Sequence, residues 1–261
     1  SRQRPRAGGR FMTMLLAAAV MGLVFGSFVT AASHRLPLDL PLGGTARSRC
    51  PACEHPLTPG ELVPVLSWLA SRGRCRHCGA AISWRYPLIE LATAALFALA
   101  WAVSPAPAEA VVLALMVTAL MVMIVADLEA GIIPDAVVLA LVPLGVIWRW
   151  LVDWAPQDMA LGLLAGLAVG LGLRHGFHLL KGRHGLGLGD VKFLAAAGIV
   201  LGLNGLALYL VASGLLGIVF GVAWRISGRG PVFPFGPALA TALLVWLMLP
   251  QRAALSGILR F

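Results

Sequence analysis

Two aspartates, Asp127 and Asp190, each stand where a long apolar run meets a polar connection. A carboxylate at such a place can take a proton from water, and a second, protonated one can polarise a carbonyl. Two carboxyls held close in a poorly solvated site share one proton, because ionising both is costly. Burial near a membrane strengthens that effect. Taken singly, each aspartate also reads as a helix cap or as an ion-pair partner of Lys192 or Arg183. The other acids sort by position. Asp39, Glu54 and Glu61 lie in a polar loop, and Glu109, Asp153 and Asp158 in connections on the opposite side. Glu90, Glu129 and Asp135 share the side of the pair. The glycines of Gly185-Leu186-Gly187-Leu188-Gly189-Asp190 let a neighbouring backbone approach closely.

The second chemical group is cysteine. All four cysteines fall in two CxxC pairs, Cys50/Cys53 and Cys75/Cys78, with 21 residues between the pairs. That spacing predicts a tetrahedral zinc site of four thiolates. A short polar loop has little core, so the metal would supply much of its folding energy. Reduced, unliganded thiols are the plain alternative. A redox CxxC lacks its strand–helix context here. His55 and His77 are expected to be spare. Glu90, just after this loop, pairs with Arg85 or faces a polar cavity. His175, His178 and His184 are expected in solvent or at headgroups, and Lys192 at a helix end.

The elements that must position these groups are membrane helices. The chain is 59% hydrophobic and 12% charged, with a mean hydropathy of +0.89, too little charge to cover a soluble domain. Its apolar residues come in eight runs: 11–33, 86–103, 108–126, 132–151, 159–173, 190–203, 206–224 and 232–249. The first is read as an uncleaved span, although Ala31-Ala32-Ser33 resembles a signal cleavage site. The sixth is short. Trp84, Trp101, Trp148, Trp150, Trp154, Trp224 and Trp246 fall near run ends, as interfacial anchors do. The expected fold class is therefore an all-α polytopic membrane protein of about eight transmembrane helices. A small cytoplasmic zinc domain lies between helices 1 and 2. The domain reading is 1–33 tail and first helix, 34–85 cysteine domain, and 86–261 transmembrane domain with both aspartates.

Charge sets the orientation. With the loop 34–85 in the cytoplasm, Arg47, Arg49, Arg74, Arg76, Arg174, Lys181, Arg183 and Arg225 are inside. Only Arg149, Arg252 and Arg260 are outside, apart from the basic head with Arg2, Arg4, Arg6 and Arg10. The net charge of +9 then suits anionic lipid, and no nucleic-acid partner is expected. The same topology puts Asp127 and Asp190 on one side.

At this point the residues resemble a known family, the type IV prepilin peptidases. These are bifunctional leader peptidases and N-methyltransferases among the GxGD intramembrane aspartic proteases. Gly26-Ser27-Phe28 with Arg35-Leu36-Pro37 resembles the opening signature, and Arg49-Cys50-Pro51-Ala52-Cys53 through Arg85-Tyr86-Pro87-Leu88-Ile89-Glu90 the cytoplasmic domain. Gly187-Leu188-Gly189-Asp190-Val191-Lys192 fits GxGDxK, and Pro234-Phe235-Gly236-Pro237 a late motif. Thr30 stands where many members have Asn, and Glu61-Leu62-Val63 replaces the usual acidic-Asn-Ile run. The resemblance implies that Asp127 and Asp190 are catalytic and that Asp135 is structural or positions substrate. It implies cleavage of a type IV prepilin or pseudopilin leader after a glycine, at the cytoplasmic face of the bacterial inner membrane. It also implies methylation of the new N-terminal residue, usually Phe, from S-adenosylmethionine, in support of type IV pili or type II secretion. No motif for the methyl donor is visible. A transporter using the two aspartates as a proton or ion relay is the competing class. Methylation without proteolysis is a third reading, against which the presence of both aspartates speaks.

Overall fold

The computed structural model describes residues 7–43, 48–182, 185–230 and 233–249. Arg2, Arg4, Arg6, Arg47, Arg183, His184, Arg252, Arg260 and the start of the last apolar run lie outside them. The regular structure of the described residues is all helical, apart from two isolated β-bridges in the loop that carries the cysteines. The helices are α1 (Ala7–Arg35), α2 (Leu66–Ala70), α3 (Arg85–Val103), α4 (Pro107–Ala130), α5 (Asp135–Val152), α6 (Pro156–Lys181), α7 (Leu188–Ile226) and α8 (Gly236–Met248). Six of them, all but α2 and α8, are long and apolar enough to cross a bilayer. The chain divides into two compact units, Ser1–Ala110 and Val111–Phe261.

In the first unit α1 packs antiparallel to α3 through Gly22 and Gly26, one turn apart. A Cβ at Gly22 would sit 2.6 Å from the Ala94 Cα, and one at Gly26 2.6 Å from the Glu90 Cα. Without a hydrophobic drive between helices in lipid, such close backbone contact is what holds them. Phe25 and Phe97 stack beside the seam, centroids 5.3 Å apart. Between the two helices runs the cysteine loop. It carries 3₁₀ turns at Leu36–Leu38 and Pro59–Leu62. The Thr58 N–H and hydroxyl both donate to Glu61 Oε2, at 3.0 and 2.8 Å, and these bonds hold the Glu61 carboxyl below its ordinary range.

In the second unit α6 meets α7 along Gly162, Gly166 and Gly170. These face Gly198, Leu194 and Val191 in antiparallel register. A Cβ at Gly162 would overlap the Gly198 carbonyl, and the converse holds as well.

The helix α7 is not a rod. Its 39 residues would reach about 58 Å if straight, nearly twice the hydrocarbon core of a bilayer. Gly202 breaks it, with φ 67° and ψ 179°. The second arm then returns along α8: Gly205 lies against Trp246, Tyr209 bonds to Leu239, and Gly217 lies against Phe235. Tyr209 also feels the charge of Asp190. A straight helix would hold those two residues about 28 Å apart. The arms 188–201 and 203–226 are thus the sixth and seventh apolar runs, joined by a single glycine rather than by the polar connector expected near 204–205.

The carboxylate of Asp158, in the first turn of α6, closes this turn. Its Oδ1 accepts the Leu203 N–H at 2.9 Å and its Oδ2 accepts Arg149 Nη2 at 3.0 Å. Asp158 is therefore a helix cap and not a free loop acid, and Glu109 likewise stands buried in the first turn of α4. Trp148 is buried rather than interfacial, whereas Trp84, Trp150 and Trp154 are exposed. The final run is a helix of only 13 residues, α8.

Candidate active site and metal centre

Asp127 sits in the last turn of α4 and is buried. Its Oδ2 accepts the Gly236 N–H, at the start of α8, at 2.8 Å. Glycine is needed there, since a Cβ would come 2.5 Å from that oxygen. The bond also satisfies one of the orphan N–H groups that every helix start leaves. Asp190 lies in the first turn of α7, half-buried. Its Oδ2 accepts the Gly187 N–H at 3.0 Å, capping its own helix.

The two carboxyls lie within electrostatic reach of each other. Two contacts hold their segments together. A Cβ at Gly189 would stand 2.9 Å from the Ile133 Cβ, so the start of α7 lies on the α4–α5 turn. Lys192 Nζ donates to both oxygens of Asp135, at 2.8 and 2.9 Å. Lys192 is thus engaged by Asp135, while Arg183, the other ion-pair candidate for Asp190, lies outside the described residues. Each aspartate commits its Oδ2 to a backbone N–H, so that among the described residues its Oδ1 is left for water, substrate or a shared proton. A cavity of about 370 Å³ opens next to this end of α4. Ile124 and Leu128 line it from the helix that carries Asp127, with Phe220, Trp224, Phe233 and Pro237 opposite.

The sequence reading missed Gly236, whose N–H holds Asp127; its only signal was the Pro-Phe-Gly-Pro string. It also passed over Tyr209, a phenol in an otherwise apolar run. His175 and His178 are exposed along the end of α6, as expected.

In the other unit the four cysteines converge: one sulfur from each of Cys50, Cys53, Cys75 and Cys78 lies within 4.8 Å of all the others. The Cys50 and Cys78 sulfurs are 3.9 Å apart. Four thiolates at zinc–sulfur bond length on a tetrahedron would be about 3.8 Å apart, so the set fits a metal ion. Two matching turns build it. The Cys50 N–H donates to the His55 carbonyl and the Glu54 N–H to the Cys50 carbonyl. In the same way the Cys75 N–H donates to the Ala80 carbonyl and the Gly79 N–H to the Cys75 carbonyl. Each turn needs a left-handed residue after its second cysteine, Glu54 at φ 56° and Gly79 at φ 72°.

Backbone N–H groups of Ala52 and Cys53 at the Cys50 sulfur lower that thiol to about 7. The His55 N–H acts in the same sense on Cys53, yet desolvation beside the neighbouring sulfurs pushes Cys53 up to about 12. His55 and His77 stack on each other, 3.4 Å between centroids, outside the cluster. Glu90 is buried nearby and accepts the Val65 N–H at 2.7 Å. Val65 holds a left-handed φ of 59° that a β-branched residue rarely adopts.

Comparison with known proteins agrees with this geometry. Residues 20–103 match the bacterial peptidase A24 N-terminal domain, and residues 114–222 match the type IV leader peptidase family. Several relatives are named prepilin leader peptidase/N-methyltransferase. That of Aeromonas salmonicida (strain A449) is 37% identical over 259 residues, covering 87% of this chain and 89% of the relative. That of Bacillus subtilis (strain 168) is 35% identical over 242 residues, covering 89% and 93%. The one from Neisseria gonorrhoeae is 33% identical over 251 residues, covering 86% and 87%. No solved structure matches the chain. The chain belongs to the type IV leader peptidase family.

Proposed function

We propose that this chain cleaves the leader of a type IV prepilin or pseudopilin after a glycine, with Asp127 and Asp190 as the catalytic pair. The observation that supports the reading is that the start of α7, which carries Asp190, lies on the turn that follows Asp127, through Gly189 on Ile133 and Lys192 on Asp135, with each carboxyl steadied through Oδ2 by a backbone N–H. In the reaction one aspartate is ionised and takes a proton from water, while that water's oxygen bonds to the scissile carbonyl carbon. The other, protonated, donates to the carbonyl oxygen. When the tetrahedral species collapses, the C–N bond breaks and the leaving amine takes a proton from the pair. The largely apolar cavity at the Asp127 end of α4, which Ser227, Arg229 and Thr241 also line, would take the first apolar residues of the mature chain, while the charged leader stays in water on the cytoplasmic side.

The new N-terminal residue, usually Phe, is then methylated. Methyl transfer requires S-adenosylmethionine; no set of described residues forms a glycine-rich cradle for it, so this activity rests on similarity to the relatives. The metal held by Cys50, Cys53, Cys75 and Cys78 is zinc, in a closed structural site. The enzyme works in the bacterial inner membrane, with aspartates and cysteine loop facing the cytoplasm, and serves type IV pili or type II secretion. The test is direct. Purified protein in detergent, given a prepilin-like peptide and S-adenosylmethionine, should yield a leader ending in glycine and a mature peptide heavier by one methyl group. An intact peptide, or cleavage elsewhere, refutes the reading.

A further inference from the structure

Tyr209 is one of only two tyrosines in the chain and is 1% exposed. It lies on the returning arm of α7. The aromatic body is held by packing that a phenylalanine would satisfy equally well; the hydroxyl has partners of its own. It donates to the Leu239 carbonyl at 3.1 Å. Leu239 is one turn beyond Gly236 on α8, and the Gly236 N–H is the group that grips Asp127. The phenol also lies within electrostatic range of Asp190. One hydroxyl therefore bonds to the helix that steadies Asp127. Inside an apolar bundle such a group is retained only where it is bonded.

We infer that Tyr209 is a positioning residue for the aspartate pair. Its hydroxyl fixes the first turn of α8, and with it the Gly236 N–H on Asp127, in register with Asp190. This rests on the two-aspartate reading above.

The experiment uses the full chain in detergent. Tyr209→Phe should lower kcat for leader cleavage about tenfold, the worth of roughly one hydrogen bond. KM should stay within about twofold, because the hydroxyl acts on the pair and not on the bound peptide. An unchanged kcat overturns the inference. So does a loss of activity that follows only the fraction of folded protein. A second readout needs no change at Tyr209. In a Tyr86→Phe background, biosynthetic fluorotyrosine labels position 209 alone, and its ¹⁹F resonance should shift when Asp190 becomes Asn. An unmoved resonance places the phenol away from the pair and refutes the role. If Asp190→Asn cleaves as well as wild type, the two-aspartate reading itself fails, whatever Tyr209→Phe does.

Discussion

Replacing Gly202 by alanine should damage the protein far more than a single methyl group suggests. The residue holds φ 67° and ψ 179°, a region close to glycine-only, where another residue costs about 1–3 kcal/mol. The added Cβ would also overlap the Asp158 carboxylate. Displacing that carboxylate removes the cap on Leu203, worth about 1 kcal/mol. It also takes the nearest partner from Arg149, which is buried. Removing one member of a buried ion pair costs about 3–5 kcal/mol. Here about 2 kcal/mol is reasonable, because the Asp158 side chain is 31% exposed and Asp153 remains 3.7 Å from Arg149. The expected loss is then about 5 kcal/mol for Gly202→Ala and about 3 kcal/mol for Asp158→Ala. The double variant should also lose about 5 kcal/mol, since both changes remove the same carboxylate bonds. Unfolding in mixed micelles by increasing SDS, followed by tryptophan fluorescence, measures all three. If Gly202→Ala costs under about 1 kcal/mol, or if the two losses simply add, the capped turn is not what folds α7 back on itself.

Further outcomes follow from the same geometry. Strong chelation should release about one zinc per chain and expose the 48–82 segment to protease; a chain that yields no metal, or that resists protease equally well after chelation, would contradict the site. Glu54→Gly should stabilise the cysteine loop by about 1 kcal/mol, because glycine adopts the left-handed turn without backbone strain. Raised metal retention on heating would show it, and lowered retention would count against it. Asp135→Lys and Lys192→Asp should each weaken cleavage a few-fold, since the pair is half-exposed and worth about 1 kcal/mol at most. The swapped double variant should recover, and a double variant worse than either single one would mean that these groups act on the substrate and not on each other.

The sequence made some of this structure readable and hid the rest for physical reasons. Asp127 and Asp190 stood out because charge is rare in apolar runs, so few positions compete for attention. The cysteine spacing likewise named its own chemistry. The two turns around those cysteines were not recognised as equivalent, because one carries its left-handed φ on Glu54 and the other on Gly79. The sixth and seventh apolar runs were expected to part between 203 and 206, and the break came at Gly202. Its decisive partner, Asp158, lies 44 residues earlier in the chain, and local pattern carries no sign of such a cap. The grip of Gly236 on Asp127 is similar: a backbone N–H has no side chain to announce it, and 109 residues separate the two. Lys192 shows the reverse. Two residues after Asp190 on a helix, it was expected to turn away from that aspartate, and it does; its partner, Asp135, lies 57 residues earlier and carried no local sign.

The central claim is that a single pair of side chains performs the hydrolysis. Its most direct measurement is single-turnover leader cleavage by Asp127→Asn and Asp190→Asn, beside methylation of a peptide supplied already cleaved. Both variants should lose cleavage by at least about a thousandfold, the scale of a disabled acid–base group, and both should still methylate. If either one cleaves at near the wild-type rate, the catalytic pair is wrongly assigned.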